Sequence, residues 1–357
     1  MMCRQLRGPL SLIIAIAALI LLSTYPAALA DNEEALSLRS VLSEFGLSAK
    51  HRKQLEDGAI VSVVAEPAFR KELTGAVAMR LPVRISEIAQ RIRTGINITA
   101  DPGMTEYGEI DSEHNETDLE RAAFSSTELE EALRLFHVHP GKELNLSAAE
   151  IAVVGERLGV YPAPRDGRDV LAEASAAYRM VLAGRVRAYR ERGLAGLAAY
   201  DRGDGSSSSP GDELLRVRTA FSPIPALAPL LRALDAFPQP PPSTMDQRFY
   251  WKKTSVNDRP AFVLAHVLLE ERPNRVAFVL REYYVGHSYN VLHQIGVALP
   301  QGEGSVVVAL NSTVTDAIPA VLGSLARAIG RGRAREALED YFEGIRRSVI
   351  GASAGRP

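Results

Sequence analysis

The polar residues best suited to chemistry lie close together in the last third of the chain. A histidine interrupts an otherwise apolar run from Phe262 to Leu269, and a denser polar group follows in the next run of β-forming residues. The candidate ligand-binding residues are His266, Arg281, Glu282, Tyr284 and His287. Polar groups of this kind can orient the head of a ligand while Phe, Val and Leu side chains hold its apolar part. The alternative interpretation is structural, with a hydrogen-bonded core histidine and solvent-facing tyrosines, because buried polar groups are normally satisfied within the protein.

The faces on which these side chains lie follow from the period of a strand. If the run around residue 280 is a strand, successive side chains point to opposite faces. This alternation predicts Glu282 and Tyr284 on one face, and Arg281, Tyr283 and His287 on the other. Together with His266 on the neighbouring strand, these side chains could line a cavity.

Catalysis and metal binding are the other chemical possibilities. A hydrolase-type enzyme could use His266, Glu282 and His287 as acid–base groups. Three imidazoles, from His266, His287 and His293, would suit zinc, but their spacing matches no ligand motif, and His137-Val-His139 is equally unspecific. The sequence contains no nucleophile elbow, phosphate-binding glycine loop, zinc-protease motif or dinucleotide fingerprint. We therefore predict no catalytic residue, no metal and no cofactor, and leave enzymatic activity open.

Residues 1–30 have the order of a secretory signal peptide. Arg4 and Arg7 form a basic head, the apolar run Leu10–Leu22 follows, and small residues end the segment. An apolar run of roughly 13 residues is short for a membrane span, which usually needs about 20. We predict cleavage before Asp31 and export to a bacterial periplasm or the extracellular medium, with a retained N-terminal anchor as the alternative.

The composition excludes several classes of partner. The 357-residue chain has a formal net charge of −2, so it lacks the basic excess that is typical of nucleic-acid-binding proteins. No apolar run after residue 30 approaches bilayer length, so we predict no membrane span after signal cleavage. The only cysteine, Cys3, lies in the signal segment, which excludes disulfides and thiolate sites from the exported part.

The elements that must position the candidate residues follow from hydrophobic periodicity and turn signals. The predicted order is a strand at Leu73–Leu81, a helix at Arg84–Arg93, a polar surface stretch at 97–127, a largely helical region at about 117–240, consecutive strands from Phe249 to Val314, and a long helix at Pro319–Ser348. Within the helical region, Gly203–Gly211 (GDGSSSSPG) is interpreted as a flexible linker.

This order of elements resembles the START-like helix-grip fold. The resemblance implies an α+β protein in which a curved antiparallel sheet grips a long C-terminal helix and leaves a cavity between them. Residues 31–357 would then form a single START-like domain, interrupted by a largely helical insertion at about 117–240.

A second resemblance rests on short motifs spread over most of the chain. The motifs are Phe249-Tyr-Trp-Lys252, Ala265-His266-Val267, Tyr283–Asn290 (YYVGHSYN), Arg187-Ala-Tyr-Arg190, Gly196–Tyr200, and Asn311 with the helix that follows. They are similar to a family of uncharacterised exported bacterial proteins, and the resemblance implies no known reaction.

The function predicted from these features is the binding of a small apolar or lipid-like molecule by an exported, soluble protein. The ligand would lie between the sheet and the C-terminal helix. The alternatives are the hydrolase-type enzyme and a structural envelope protein that acts through its helical insertion.

Overall fold

Helices and strands alternate along the chain in three blocks. The computed structural model describes residues 37–111, 115–159, 167–220, 225–316 and 323–354. The first block comprises α1 (Leu38–Glu44), α2 (Ala49–Glu56), β1 (Val61–Val64), β2 (Glu72–Leu81), α3 (Ile85–Arg93), α4 (Ile96–Thr99) and β3 (Met104–Glu109). The second comprises α5 (Asn115–Asp118), α6 (Leu129–Phe136), α7 (Ala148–Gly159), α8 (Gly167–Arg192), β4 (Tyr200–Gly203), β5 (Ser206–Ser208), α9 (Pro210–Ala220) and α10 (Ala228–Ala236). The third comprises β6 (Met245–Val256), β7 (Arg259–Arg272), β8 (Arg275–Val285), β9 (Val291–Gln301), β10 (Gly304–Val314) and α11 (Gly323–Ala354).

The described strands form an eight-stranded antiparallel sheet in the order β1-β2-β10-β9-β8-β7-β6-β3, and β4 pairs with β5 in a separate hairpin. Strands β6 to β10 run up and down as a meander, rich in the β-branched and aromatic residues that suit a buried pleated surface. The turn between β6 and β7 contains Asn257 and Asp258, with φ of 53° and 60°, as the tight turns of two-residue hairpins require. β2 extends the meander by pairing with β10, with Leu81 opposite Ser305, and β1 then pairs with β2 at the edge of the sheet.

Helices cover both faces of this sheet. On one side, which we call the C-terminal-helix face, α3, α4 and α11 pack on the strands, with Met79 and Phe342 among the buried contacts. On the other side, which we call the insert face, α6 to α9 pack around residues such as Tyr178 and Trp251. Because both faces are covered, a strand such as β7 carries apolar residues at successive positions rather than alternating apolar and polar ones.

The predicted class of a mixed helix-and-strand protein with a large antiparallel sheet and a long C-terminal helix is confirmed. The predicted strand Leu73–Leu81 corresponds to β2, and the predicted helix Arg84–Arg93 corresponds to α3. The residues from Ser37 onward form one compact unit. The signal peptide at 1–30 and the predicted helix start at Pro319 lie outside the described residues. None of the described helices combines the length and the apolar character that a bilayer crossing demands.

Two local predictions are wrong. The segment Gly203–Gly211 is not a flexible linker, because it forms the β4–β5 turn and the start of α9, and Ser208 is buried. The Ser208 hydroxyl donates to Asp316 (2.7 Å) and accepts from the Lys71 ammonium (3.2 Å), so ionic partners elsewhere in the chain hold this serine-rich segment in place. The stretch at 97–127 is not wholly a surface excursion, since it contains the buried helix α4 and the edge strand β3.

Candidate functional site

A β-bulge in β8 decides which candidate residues meet. Leu264 lies opposite Tyr284, whereas the next residue, Ala265, lies opposite Glu282, so Tyr283 is an extra residue in the strand. A bulge of this kind puts two successive side chains on one face. Tyr283 and Tyr284 therefore both lie in the core of the insert face. The prediction that Glu282 and Tyr284 share a face is wrong for this reason.

Three polar residues lie side by side across the insert face. In the strand register His266 of β7 is opposite Arg281 of β8, and Arg281 is opposite His293 of β9. We call these three residues the Arg281 row. They are almost completely buried, with exposed fractions of 0%, 1% and 0%. The insert face, and not the C-terminal-helix face, thus holds two of the five candidate residues in direct proximity.

A chain of hydrogen bonds links the row to α8. The Arg281 guanidinium donates through Nη1 to the Tyr189 hydroxyl (3.3 Å), which is hydrogen-bonded to Nδ1 of His266 (2.9 Å). The Nε2 atom of His266 bonds to the side-chain amide of Gln247 (2.9 Å). Burial, and then the positive charges of Arg281 and Arg190, hold the pKa of His266 well below its usual value. His266 is therefore a neutral, fully bonded imidazole, which is the structural interpretation of this residue.

The remaining candidates on this side of the sheet also have protein partners. Tyr284 shares a hydrogen bond with the Tyr178 hydroxyl (2.7 Å), and the Arg185 guanidinium lies over its ring (4.3 Å). His287 follows β8 and bonds to the Pro260 carbonyl oxygen (3.1 Å). Its pKa is lowered by burial and then by the charge of Arg259. Tyr284 thus joins β8 to α8, and His287 joins the loop after β8 to the start of β7.

Glu282 lies apart from the others, within a charged cluster on the C-terminal-helix face. Its carboxylate accepts from Lys252 (2.8 Å) and Tyr289 (2.6 Å), and Lys252 also reaches Asp101 (2.8 Å). Burial works against the charged form of Lys252, but the two carboxylates outweigh it and raise the pKa of this lysine. Because the sheet separates Glu282 from His266, the three residues of the hydrolase alternative are not brought together.

The insert face is also a poor environment for a metal ion. Arg281 stands between His266 and His293, and its positive charge opposes a second cation there. Within the described residues no group of three or more His, Cys, Asp or Glu side chains could hold a metal.

A small cavity lies on the C-terminal-helix face, between the sheet, α3 and α11. Its volume is about 30 Å³, enough for roughly two water molecules. Apolar side chains make most of the wall, among them Met79, Leu81, Ile88, Ile92, Phe278, Val307 and Phe342. The polar residues that reach it are Arg91, Asn97, Gln294 and Tyr341.

Asn97 is the unusual residue of this cavity. It is 3% exposed, and within the described part of the chain neither its side-chain oxygen nor its nitrogen has a hydrogen-bond partner. Its position is determined by Gly95, whose φ of 83° ends α3 and turns the chain into α4. The Tyr341 hydroxyl of α11 donates to the backbone oxygen of Asn97 (2.9 Å), not to its side-chain amide.

Sequence reasoning did not identify Asn97. The residue was assigned to the polar stretch at 97–127, although Ile96 and Ile98 on either side of it are apolar. Those two neighbours were the available signal of burial, and no sequence pattern indicates a missing hydrogen-bond partner.

Comparison with known proteins assigns neither a family nor a function to the chain. No protein-family model matches the chain, and no curated protein matches it. Among solved structures, the chain is similar to the protein TTHA0849 from Thermus thermophilus, at 22% sequence identity and a TM-score of 0.23, over 30% of this chain and 69% of that chain. A likeness at this TM-score carries no argument about fold or function.

Proposed function

We propose that this protein is an exported, non-enzymatic binding protein for a small, mainly apolar molecule, held between the sheet and α11 in a START-like arrangement. The observation that carries the proposal is the side-chain amide of Asn97, which is buried at an apolar cavity and has no hydrogen-bond partner among the residues that the structure describes. An unsatisfied buried amide destabilises a folded protein by about 1–3 kcal/mol. A ligand with an apolar body and one hydrogen-bonding group would remove that penalty.

The size of the cavity limits how the ligand enters. Ligand pockets usually have volumes of about 300–1,000 Å³, whereas this cavity has about 30 Å³. One wall is formed by Phe342, Ile345 and Val349 of α11. Uptake of a lipid-like molecule therefore requires α11 to move away from the sheet, and a larger cavity opens when it does.

The test uses Asn97→Leu, which replaces the amide by an apolar group with the same branching and the same number of side-chain heavy atoms. We expect the free energy of unfolding of the ligand-free protein to rise by about 1–3 kcal/mol, because an unsatisfied polar group is removed. We expect binding of Nile red, a neutral apolar dye with a carbonyl acceptor, to weaken in the same variant. Urea unfolding followed by fluorescence of Trp251, the only tryptophan, measures the first quantity, and a dye titration measures the second.

Matched controls separate a binding role from a structural one. Asn145 is also buried, but its amide donates to the carbonyl oxygens of Val285 and Tyr289 (both 2.8 Å), so Asn145→Leu should destabilise the protein. Val307→Phe should block dye binding, whereas Val308→Phe, on the opposite face of β10, should not. If Asn97→Leu destabilises the protein, or if Val307→Phe binds the dye as the wild type does, the proposal is wrong.

A further inference from the structure

We propose that the insert face holds a second binding site, separate from the Asn97 cavity, in which Arg281 binds the carboxylate of a small molecule with an apolar body. The two sites lie on opposite faces of the sheet, so either can bind its ligand without the other.

The uncompensated charge of Arg281 is the first observation. Its side chain is 1% exposed, its Nε atom has no hydrogen-bond partner, and among the described residues it forms no ion pair. Arg185, equally buried on the same face, shows the ordinary arrangement, since its guanidinium pairs with Glu150 at 2.6 Å. A buried charge without a counter-ion is strongly unfavourable. A bound anion would supply the counter-ion that the protein does not.

The groups around Arg281 define the anion. The ring of Tyr283 stacks on Tyr189, the hydrogen-bond partner of Arg281. The Tyr283 hydroxyl is buried with no hydrogen-bond partner among the described residues, and burial, followed by the influence of Tyr189, raises its pKa, so it keeps its proton and can donate. His266 and His293 are neutral, because burial and then the charge of Arg281 lower the pKa of each. One unbalanced positive charge matches a singly charged carboxylate better than a phosphate dianion. A guanidinium also binds a carboxylate through two parallel hydrogen bonds.

Aromatic rings determine what the rest of the ligand must be. Tyr189 stacks on Tyr283 at 4.0 Å, Phe249 stacks on His266 at 4.6 Å, and Phe237 lies 4.7 Å from the Tyr189 ring. A site with such walls favours an apolar or aromatic body on the carboxylate.

Access to the row is controlled by two helices. α9 packs against β8 and β9, and α10 packs against β7 and β8. Arg218 of α9 and Asp235 of α10 form an ion pair at 2.8 Å, which ties the two helices together beside His293. Binding therefore requires α9 and α10 to separate from the sheet, and the structure described is the closed form.

The experiment compares benzoate with its neutral analogue benzamide on the full chain at constant ionic strength. Thermal unfolding followed by Trp251 fluorescence is the readout, because ligands that bind the folded state raise the midpoint. We expect benzoate to raise the midpoint of the wild type and benzamide to leave it unchanged. In Arg281→Met, which keeps an unbranched apolar stem but removes the guanidinium and its charge, we expect the effect of benzoate to disappear. Inorganic phosphate is the third probe.

The ligand-free variants give an independent readout. Arg281→Met should unfold at or above the wild-type temperature, because it removes an uncompensated buried charge, whereas Arg185→Met should unfold at a lower temperature because it leaves Glu150 without its partner. The proposal is overturned if benzoate stabilises Arg281→Met as much as the wild type, or if it stabilises neither. It is also overturned if Arg281→Met alone is destabilised as strongly as Arg185→Met. A midpoint that responds to phosphate and not to benzoate would overturn the carboxylate assignment.

Discussion

At the scale of single residues, the buried histidines connect the stability of this protein to pH. His266 and His293 are completely buried, and burial together with the charge of Arg281 lowers the pKa of both well below the usual value. The folded protein therefore keeps both rings neutral at pH values where the unfolded chain, with a histidine pKa of about 6.5, has already bound protons.

This difference predicts that the protein loses stability as the pH falls below about 6.5. The unfolded state binds more protons than the folded state in that range, so the free energy of unfolding decreases with falling pH, by up to about 1.4 kcal/mol per pH unit for each histidine. Above about pH 6.5 both states are neutral at these positions and the contribution is constant. Urea unfolding between about pH 7.5 and 5 measures the slope in a range where most carboxylates stay ionised.

The variant His266→Gln provides the control for this prediction. Glutamine cannot take up a proton. The free energy of unfolding should therefore change less steeply with pH below about pH 6.5, by the contribution of one proton. An identical slope in the wild type and His266→Gln would contradict the assignment of His266 as a neutral buried ring.

At the scale of elements, the long strands and helices were predictable and the local irregularities were not. β2 and α3 follow directly from runs of apolar residues with the period of a strand or a helix. β3 is not indicated by the sequence because it is an edge strand of mixed polar and apolar residues, with the charged Glu109 on its exposed face. The β4–β5 hairpin is not indicated either, because its serines are held by the distant Asp316, which no local pattern reveals.

The candidate site was predictable only as a list of residues. The sequence marks His266 as a polar residue within an apolar run and Arg281 as part of the polar group that follows, and the two residues are neighbours in the sheet. Their arrangement depends on the bulge at Tyr283, which shifts the alternation of faces by one residue. Within the described residues, the side-chain amide of Asn97 lacks a hydrogen-bond partner and Arg281 lacks a counter-ion. Both are properties of the packed structure, so a sequence pattern cannot express them.

Two glycines allow the packing of helix and sheet to be tested with the same substitution. Gly184 lies in the middle of α8, is exposed, and has open space where a methyl group would be added. We expect Gly184→Ala to stabilise the protein by about 0.5–1 kcal/mol, since alanine loses less backbone entropy in a helix.

The same substitution at Gly296 of β9 should lower the stability of the protein. A methyl group there would overlap the ring of Phe278, which is buried and lines the Asn97 cavity. We expect Gly296→Ala to destabilise the protein by about 1–3 kcal/mol because the core would be overpacked. Urea unfolding of both variants tests the pair, and a gain of stability in Gly296→Ala would show that the sheet is loosely packed at this point.

At the scale of the whole molecule, an ionic cluster around Asp316 joins distant parts of the chain. Its carboxylate accepts from Lys71 before β2, from Arg202 and Ser208 of the β4–β5 hairpin, and from Asn290 before β9. Burial alone would raise the pKa of Asp316, but these hydrogen bonds and positive charges outweigh it and hold the pKa below its usual value. The cluster thus fastens the inserted block to the end of the sheet.

This cluster predicts that the serine-rich segment resists proteolysis. In the native wild type, a protease of broad specificity should not cut between Gly203 and Gly211, since the hairpin is held by ionic and hydrogen-bonded partners. Asp316→Ala should expose the segment to cleavage, whereas Asp212→Ala, on an exposed position at the start of α9, should not.

Mass spectrometry of the digestion products identifies the cleavage sites. Rapid cleavage of the wild type in this segment would contradict the prediction. Release of two fragments that each unfold cooperatively would show two domains rather than one.

The position of β2 in the sheet has a consequence for the order of folding. The meander β6–β10 connects neighbouring strands through short turns, so its contacts close small loops and can form early. β2 and β3, although close in sequence, lie on opposite sides of this meander, where β2 pairs with β10 and β3 pairs with β6. While the chain is being synthesised, β3 therefore gains its partner when β6 appears, whereas β2 has no neighbour in the meander until β10, the last strand, has left the ribosome. We expect a slow final step in refolding, in which the N-terminal strands dock on a preformed meander, and a period in which their unpaired edges need protection from aggregation.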